Sequence, residues 1–179
     1  RPKPRDVISM IQPGKPATFV VHDIYKGMTG VKQGRVKKLR ILETTARISG
    51  IPRGGRWWNQ AFLASWQGSY DIKYFLGVVP VEEDGSAYFV APPGKALYFQ
   101  ALDADGKMLQ SQRTFVQAVP GVARSCTGCH IKEDNAAPAV MSSRPIAARK
   151  APAKIKPESW GNGFVDYPTM IQPILDRRC

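Results

Sequence analysis

Short runs of β-branched and aromatic residues recur along the chain, and in several of them apolar and polar positions alternate. An alternation with a period of two residues is typical of strands that bury one face. The pattern predicts strands at residues 17–25, 36–45, 73–82, 86–91, 96–102 and 107–118. Because the last four runs follow one another closely, we expect an antiparallel meander over residues 73–118, within a mainly β, sandwich-like or barrel-like domain.

Turn signals separate the last four runs. The sequences EEDGS and DADGK place Gly85 and Gly106 after an aspartate, and glycine adopts the positive φ of a tight hairpin turn without steric cost. Gly94, in APPGK, supplies a further permissive position. These residues predict three chain reversals.

A different composition marks residues 46–72, where aromatic residues are mixed with Gly and Arg without a clear period. We expect a long loop that packs on the sheet through its aromatic side chains. An alternative is that Trp57, Trp58 and Trp66 line the wall of a cofactor pocket.

The C-terminal part of the chain is poor in strand signals. Residues 136–160 are rich in alanine and proline, which predicts an extended linker. A short helix is expected in YPTMIQPILDRRC, with Pro168 near its start and Pro173 disturbing it. Its apolar face comprises Met170, Ile171, Ile174 and Leu175.

Length and charge restrict the classes of function. The chain has 179 residues, and no apolar run approaches the roughly 20 residues that a membrane span needs. The net charge of +12 is scattered, and no nucleic-acid-binding motif accompanies it, so we expect an acidic protein partner rather than nucleic acid. The first residues, RPKPRDVISM, lack an initiator Met and read as a cut end.

The sequence SCTGCH contains the pattern C-x-x-C-H, formed by Cys126, Cys129 and His130. This is the attachment pattern of haem c, in which two thiols form thioethers with the porphyrin and the histidine binds the iron. A zinc site needs further ligands, and only Cys179 and His22 are available at a distance. A structural or redox-active disulfide is the remaining alternative, although neither explains His130.

The sixth ligand of such an iron stays open. His22 is the other histidine of the chain, and Met141 is the methionine nearest to the motif. Met28, Met108 and Met170 compete with them, as does a five-coordinate iron.

The chain resembles the haem-bearing middle region of the hydrazine synthase alpha subunit family over residues 17–179. The most specific parts are PVEEDGSAYF, LYFQALDADGKMLQSQR and SCTGCH. The resemblance implies a β-rich domain with covalently bound haem, and a second haem c motif that begins at Cys179. In hydrazine synthase itself a tyrosine just after the motif holds one haem and the motif histidine binds zinc. No tyrosine follows in HIKEDNAAP, which favours ordinary iron ligation by His130.

Together these features predict a β-rich haem c domain over residues 1–135, an extended linker over 136–160 and the start of a second haem c segment over 161–179. We expect a periplasmic or exported protein that transfers electrons within a larger multihaem protein. Its partners would be an acidic redox protein or further haem domains of the same protein. Two alternatives are haem-based catalysis on small nitrogen compounds and a non-haem sandwich module whose cysteines bind zinc or form a disulfide.

Overall fold

A computed structural model describes residues 11–44, 73–112, 114–129 and 144–179. In chain order the strands and the helix are β1 (Ala17–Val21), β2 (Lys38–Thr44), β3 (Lys73–Pro80), β4 (Ala87–Ala91), β5 (Leu97–Leu102), β6 (Met108–Ser111), β7 (Ala123–Cys126) and α1 (Gln172–Arg178). The mainly β prediction is confirmed, and each of the six predicted runs contains a strand. The aromatic segment with Trp57, Trp58 and Trp66 lies outside the described residues.

The strands form two sheets. One has the order β4-β1-β7 and the other the order β3-β2-β5-β6. All pairs are antiparallel except β1 with β7, which run parallel. A parallel neighbour requires a long connection between the two strands, and here most of the domain lies between them.

The two sheets pack face to face around three phenylalanine rings. Phe19 and Phe89 stack with their ring centroids 5.6 Å apart, and Phe99 from the other sheet meets both rings edge-on. Strands β1, β4 and β5 alternate buried and half-buried residues along their length. Burial of each ring contributes about 1.5–3 kcal/mol to the stability of the fold. The buried positions of the alternating pattern seen in the sequence therefore form the apolar interface between the two sheets.

The predicted meander over residues 73–118 is wrong. Of its strands, β4 belongs to the three-stranded sheet, whereas β3, β5 and β6 belong to the four-stranded sheet. Gly106 has a φ of 81° and closes the expected hairpin between β5 and β6. Gly85 and Gly94 also have positive φ and reverse the chain, but each turn leads from one sheet into the other. A tight turn determines a local reversal and leaves open which sheet receives the next strand.

Residues 144–163, called the strap below, run along the outer edges of β4 and β3. The strap forms backbone bridges from Ala153 to Phe89, from Lys156 to Val78 and from Gly163 to Phe75. It therefore pairs with one edge of each sheet. Residues 144–160 of the strap are the described part of the predicted linker, and the proposed domain boundaries stay predictions.

Polar side chains anchor the strap at its first turn. The Asp84 carboxylate accepts hydrogen bonds from the backbone N–H of Ile146 at 2.8 Å and from the Ser86 hydroxyl at 2.6 Å. The buried Ser86 hydroxyl oxygen in turn accepts from the N–H of Ala147 at 2.9 Å.

Two ion pairs hold the strap further along. Lys150 donates to both carboxylate oxygens of Glu82 at 2.8 Å. Arg40, on β2, forms a two-pronged ion pair with Glu158. Because the side chains of Arg40 and Glu158 are mostly buried, this pair binds the strap more firmly than an exposed pair would.

The short C-terminal helix is confirmed. A π-helical turn at Tyr167–Ile171 precedes α1, and the Asp166 side chain caps it by accepting from the N–H of Thr169 at 2.9 Å. Pro168 lies in this first turn as expected, and Pro173 lies at the start of α1, where its missing N–H costs least. Within the described ranges, no helix is long and apolar enough to cross a bilayer.

Candidate functional site

Strand β7 carries the first cysteine of the motif and pairs with β1, with Val21 opposite Cys126. The pairing continues beyond the ends of both strands. The N–H of His22 donates to the carbonyl of Cys126 at 2.9 Å, and the N–H of Asp23 donates to the carbonyl of Thr127 at 3.3 Å. The first half of the C-x-x-C segment is thus held by backbone hydrogen bonds to the end of β1.

Residues 22–28, called the cradle turn below, lie directly against the motif. The Asp23 side chain accepts from the N–H of Tyr25 at 2.9 Å, and the N–H of Lys26 donates to the carbonyl of Asp23 at 3.2 Å. Gly128 packs on this turn so closely that a Cβ there would lie 2.6 Å from both the Cβ and the carbonyl oxygen of Lys26. The motif therefore needs glycine at this position for a packing reason.

The rest of the domain holds the cradle turn from behind. Ile24 is fully buried, and its N–H donates to the carbonyl of Gly85 at 2.9 Å. The Tyr25 hydroxyl accepts from the N–H of Val36 at 2.9 Å. The turn is consequently a rigid support for the cysteine pair.

Both cysteines are free and half-buried, and they pack against the hydrophobic core. A cavity of about 40 Å³ lies beside them, lined by Val21, Phe99, Gln112, Cys126, Gly128 and Cys129. Its walls are mainly apolar, and it is large enough for about one small molecule of the size of water.

Burial controls the acidity of the two thiols. Burial, with the negative charges of Cys126 and Asp23 nearby, raises the pKa of Cys129 to about 12. Burial also raises the pKa of Cys126, although the positive charge of Arg124 opposes this effect. Both groups are therefore neutral thiols at pH 7 in this arrangement, which does not favour thiolate chemistry.

The structure brings His22, a candidate sixth ligand, beside the motif. Its Nε2 lies 2.6 Å from the Ser125 hydroxyl oxygen. Its Nδ1 is buried and has no hydrogen-bond partner among the described residues.

Met28, a further candidate sixth ligand, lies at the end of the cradle turn and is buried in the hydrophobic core. His130 and Met141 lie outside the described residues. Cys179 is exposed and follows α1. Across residues 11–44, 73–112, 114–129 and 144–179, no group of three or more His, Cys, Asp or Glu side chains is arranged to hold a metal ion.

The sequence analysis did not identify the cradle turn as part of the site. A signal was present in HDIYKG, because an aspartate often accepts a hydrogen bond from the backbone N–H two residues later and so forms an Asx turn. Asp23 forms this hydrogen bond with Tyr25. The signal gives a turn but no partner, so the contact with Gly128 was not predictable from it.

The residues present fit a group attached through two thioethers. Both thiols are free, they are separated by two small residues, and the backbone of the first half of the motif is held in place. For a structural zinc ion the same pair would supply two of the four ligands that such a site uses, and no further grouped ligand lies among the described residues.

Comparison with known proteins gives the family. The profile of the hydrazine synthase alpha subunit middle domain matches residues 34–131, which is more than half of the chain. The chain belongs to this family. The resemblance noted from the sequence is thereby confirmed.

A solved structure, that of Kuenenia stuttgartiensis hydrazine synthase, has a similar fold. The TM-score is 0.68 and the sequence identity 19%, over 92% of this chain. The chain spans 29% of the length of that solved chain, and at this identity the likeness is one of fold. No curated protein sequence matches the chain.

Proposed function

We propose that this domain binds one haem c covalently through Cys126 and Cys129, with His130 as the proximal iron ligand, and that it serves in electron transfer within a larger multihaem protein. The observation that carries the proposal is the pair of free thiols in a C-x-x-C-H sequence, held against the cradle turn. Membership of the hydrazine synthase alpha family supports it.

When bound, a haem c supplies one-electron chemistry at its iron. The part of this chain is to hold the attachment points. The carbonyls of Cys126 and Thr127 are hydrogen-bonded to β1 and the cradle turn, and Gly128 leaves no space between the motif and that turn. The two cysteines pack against the hydrophobic core on the side of the motif that faces it.

The test is the intact mass of the protein made in its native host or in a host with haem-attachment machinery. We expect a covalent gain of one haem, which the double variant Cys126→Ala, Cys129→Ala loses. His130→Ala should keep the covalent haem but change its absorption spectrum, because the proximal ligand is removed. An unmodified mass in the wild-type protein would overturn the proposal, and bound zinc or a disulfide in that sample would favour the non-haem sandwich module.

A second candidate function is haem-based catalysis on small nitrogen compounds, and family membership is the observation that favours it. It requires an iron with an open or displaceable sixth position. A high-spin haem that binds nitric oxide would support this function, whereas a six-coordinate low-spin haem would support electron transfer. The absence of a tyrosine from HIKEDNAAP, which follows the cysteine pair, favours electron transfer.

The proposal extends to the compartment and the partners of the protein. Haem c attachment places the domain in the periplasm or another exported compartment. The partners that fit are an acidic redox protein, because of the net charge of +12, and further haem domains of the same protein, of which Cys179 would be the first attachment residue.

A further inference from the structure

We propose that His22 is a positioning residue for the cysteine pair and not an axial ligand of the iron. This inference rests on the proposed function only for its second half, since the positioning can be measured on protein without haem. It is carried by the Nε2–Ser125 hydrogen bond, by the enclosed Nδ1 and by the backbone pairing of the same residue with Cys126.

In this structure neither ring nitrogen of His22 is free to bind an iron: one is hydrogen-bonded and the other is buried. A metal must come within about 2 Å of a ligating imidazole nitrogen. The Nε2 atom is occupied by the Ser125 hydroxyl at 2.6 Å, and the Nδ1 atom is buried by protein atoms. Ligation through Nε2 would therefore require the bond to Ser125 to break, and ligation through Nδ1 would require the ring to leave its site.

The same contacts hold Ser125, which precedes the motif, and Cys126, which begins it. Its backbone N–H binds the carbonyl of Cys126, while its side chain binds the hydroxyl of Ser125. Main chain and side chain of one residue thus hold two successive residues of β7. Ser125 is exposed and lies on β7, which pairs only with β1 among the described strands, so this side-chain bond supplements that backbone ladder.

The hydrogen bond from Nε2 to Ser125 is the contact that a conservative variant of His22 must keep. A glutamine side chain reaches a similar distance with an amide that bonds Ser125, which makes His22→Gln the conservative variant.

The first measurement uses protein produced without haem-attachment machinery, so that both thiols are free. We expect a neutral alkylating reagent to modify Cys126 and Cys129 about five- to tenfold faster in His22→Ala than in the wild type, since the loss of one hydrogen bond promotes local opening of β7. Ser125→Ala should give the same increase, and the double variant no further increase, because both changes remove the same bond. His22→Gln should restore most of the protection.

Ser159→Ala is the matched control, since it removes an exposed hydroxyl from the strap rather than from β7. The thermal midpoint of each variant separates this role from general stability, as a positioning role changes the thiol rate with the midpoint nearly unchanged. If His22→Ala does not fold, His22→Gln and Ser125→Ala decide between the outcomes. A rate in Ser125→Ala within about twofold of the wild type would overturn the proposal, since that bond would then protect nothing.

The second measurement uses haem-loaded protein. We expect His22→Gln to keep the spin state and absorption bands of the wild type, whether the iron is five- or six-coordinate. A change from low to high spin in this variant would show that His22 is an axial ligand and would refute the inference. If wild-type protein carries no haem, the proposed function fails, while the alkylation rates still decide the positioning role.

Discussion

Gly128 is the residue at which the motif passes closest to the cradle turn. In a Gly128→Ala variant the new Cβ would lie 2.6 Å from two atoms of Lys26 that cannot move independently of the backbone. We expect the free energy of unfolding to fall by about 1–3 kcal/mol, as is typical of overpacking, and the thiols to react faster. Urea denaturation and alkylation rates measure the two effects.

Thr127→Ala is the matched control, because it changes the neighbouring residue of the motif without adding an atom. Its free energy of unfolding should stay within about 0.5 kcal/mol of the wild type. Equal losses in the two variants would show that the close contact of Gly128 has no energetic consequence.

Asp84 gives a second prediction at the scale of single residues, at the point where the strap begins. Burial disfavours the charged carboxylate, but hydrogen bonds from Ile146 and Ser86 outweigh this effect and hold the pKa of Asp84 below its usual value of 3.8. A carboxylate with a lowered pKa stabilises the fold above its unfolded pKa, and this stability is lost as the pH falls through the folded pKa.

Asp84→Asn should therefore lower the free energy of unfolding by about 1 kcal/mol at pH 7, since solvent weakens the interactions of a partly exposed carboxylate. The difference from the wild type should stay constant above pH 3.8 and shrink below it, as first the unfolded chain and then the folded wild-type carboxylate is protonated. Urea denaturation at several pH values tests this. A difference that grows towards acid pH would contradict the sign of the shift.

At the scale of the elements, the strap depends on a glycine in the strand that it covers. Gly77 has a φ of 134°, and a Cβ there would lie 2.1 Å from the carbonyl oxygen of Lys156. We expect Gly77→Ala to displace the strap from β3, which would expose the backbone of the strap to solvent. Trypsin should then cleave after Lys150 and Lys154 faster than in the wild type, whereas Lys156 precedes a proline and should resist.

Gly94→Ala is the control for this experiment. Gly94 also has a positive φ, of 70°, but its surroundings are open, so it shares the backbone strain without the clash. Similar cleavage of the strap in both variants would show that strain, rather than contact with Lys156, releases it.

The elements also show what the sequence reveals and what it does not. Strands such as β1, β4 and β5 have one fully buried face, and their alternation made them predictable. Strand β7 was missed because Ala123–Cys126 has no β-branched or aromatic residue and is mostly exposed. Its place next to β1 depends on backbone pairing between distant segments, for which the side chains of β7 carry no pattern.

In the candidate site, too, some features were predictable from the sequence and others were not. Spacing alone identified Cys126 and Cys129, since attachment chemistry requires a local pattern. The support from His22 and the fit of Gly128 against Lys26 join parts of the chain that are far apart in sequence, and a local pattern contains no information about such contacts.

At the scale of the whole molecule, the net charge of +12 predicts the behaviour of the haem-loaded protein towards an acidic redox partner. Raising the ionic strength from about 0.02 M to about 0.2 M should slow the bimolecular electron exchange by about fivefold or more, because salt screens the attraction. Stopped-flow absorption measures the rate. An uncharged small reductant serves as the control, and a protein-partner rate that salt leaves unchanged would exclude docking by charge.

The parallel pairing of β1 with β7 has a consequence for the order of events during maturation. His22 and Ser125 are 103 residues apart in the chain, so the support of the cysteine pair forms only when these distant segments have come together. Contacts of such long range form slowly, and until then both sulfur atoms are exposed to solvent. There is therefore a period before folding is complete in which a group can reach the thiols without opening the native sheet, and slowing the pairing of β1 with β7 should lengthen that period.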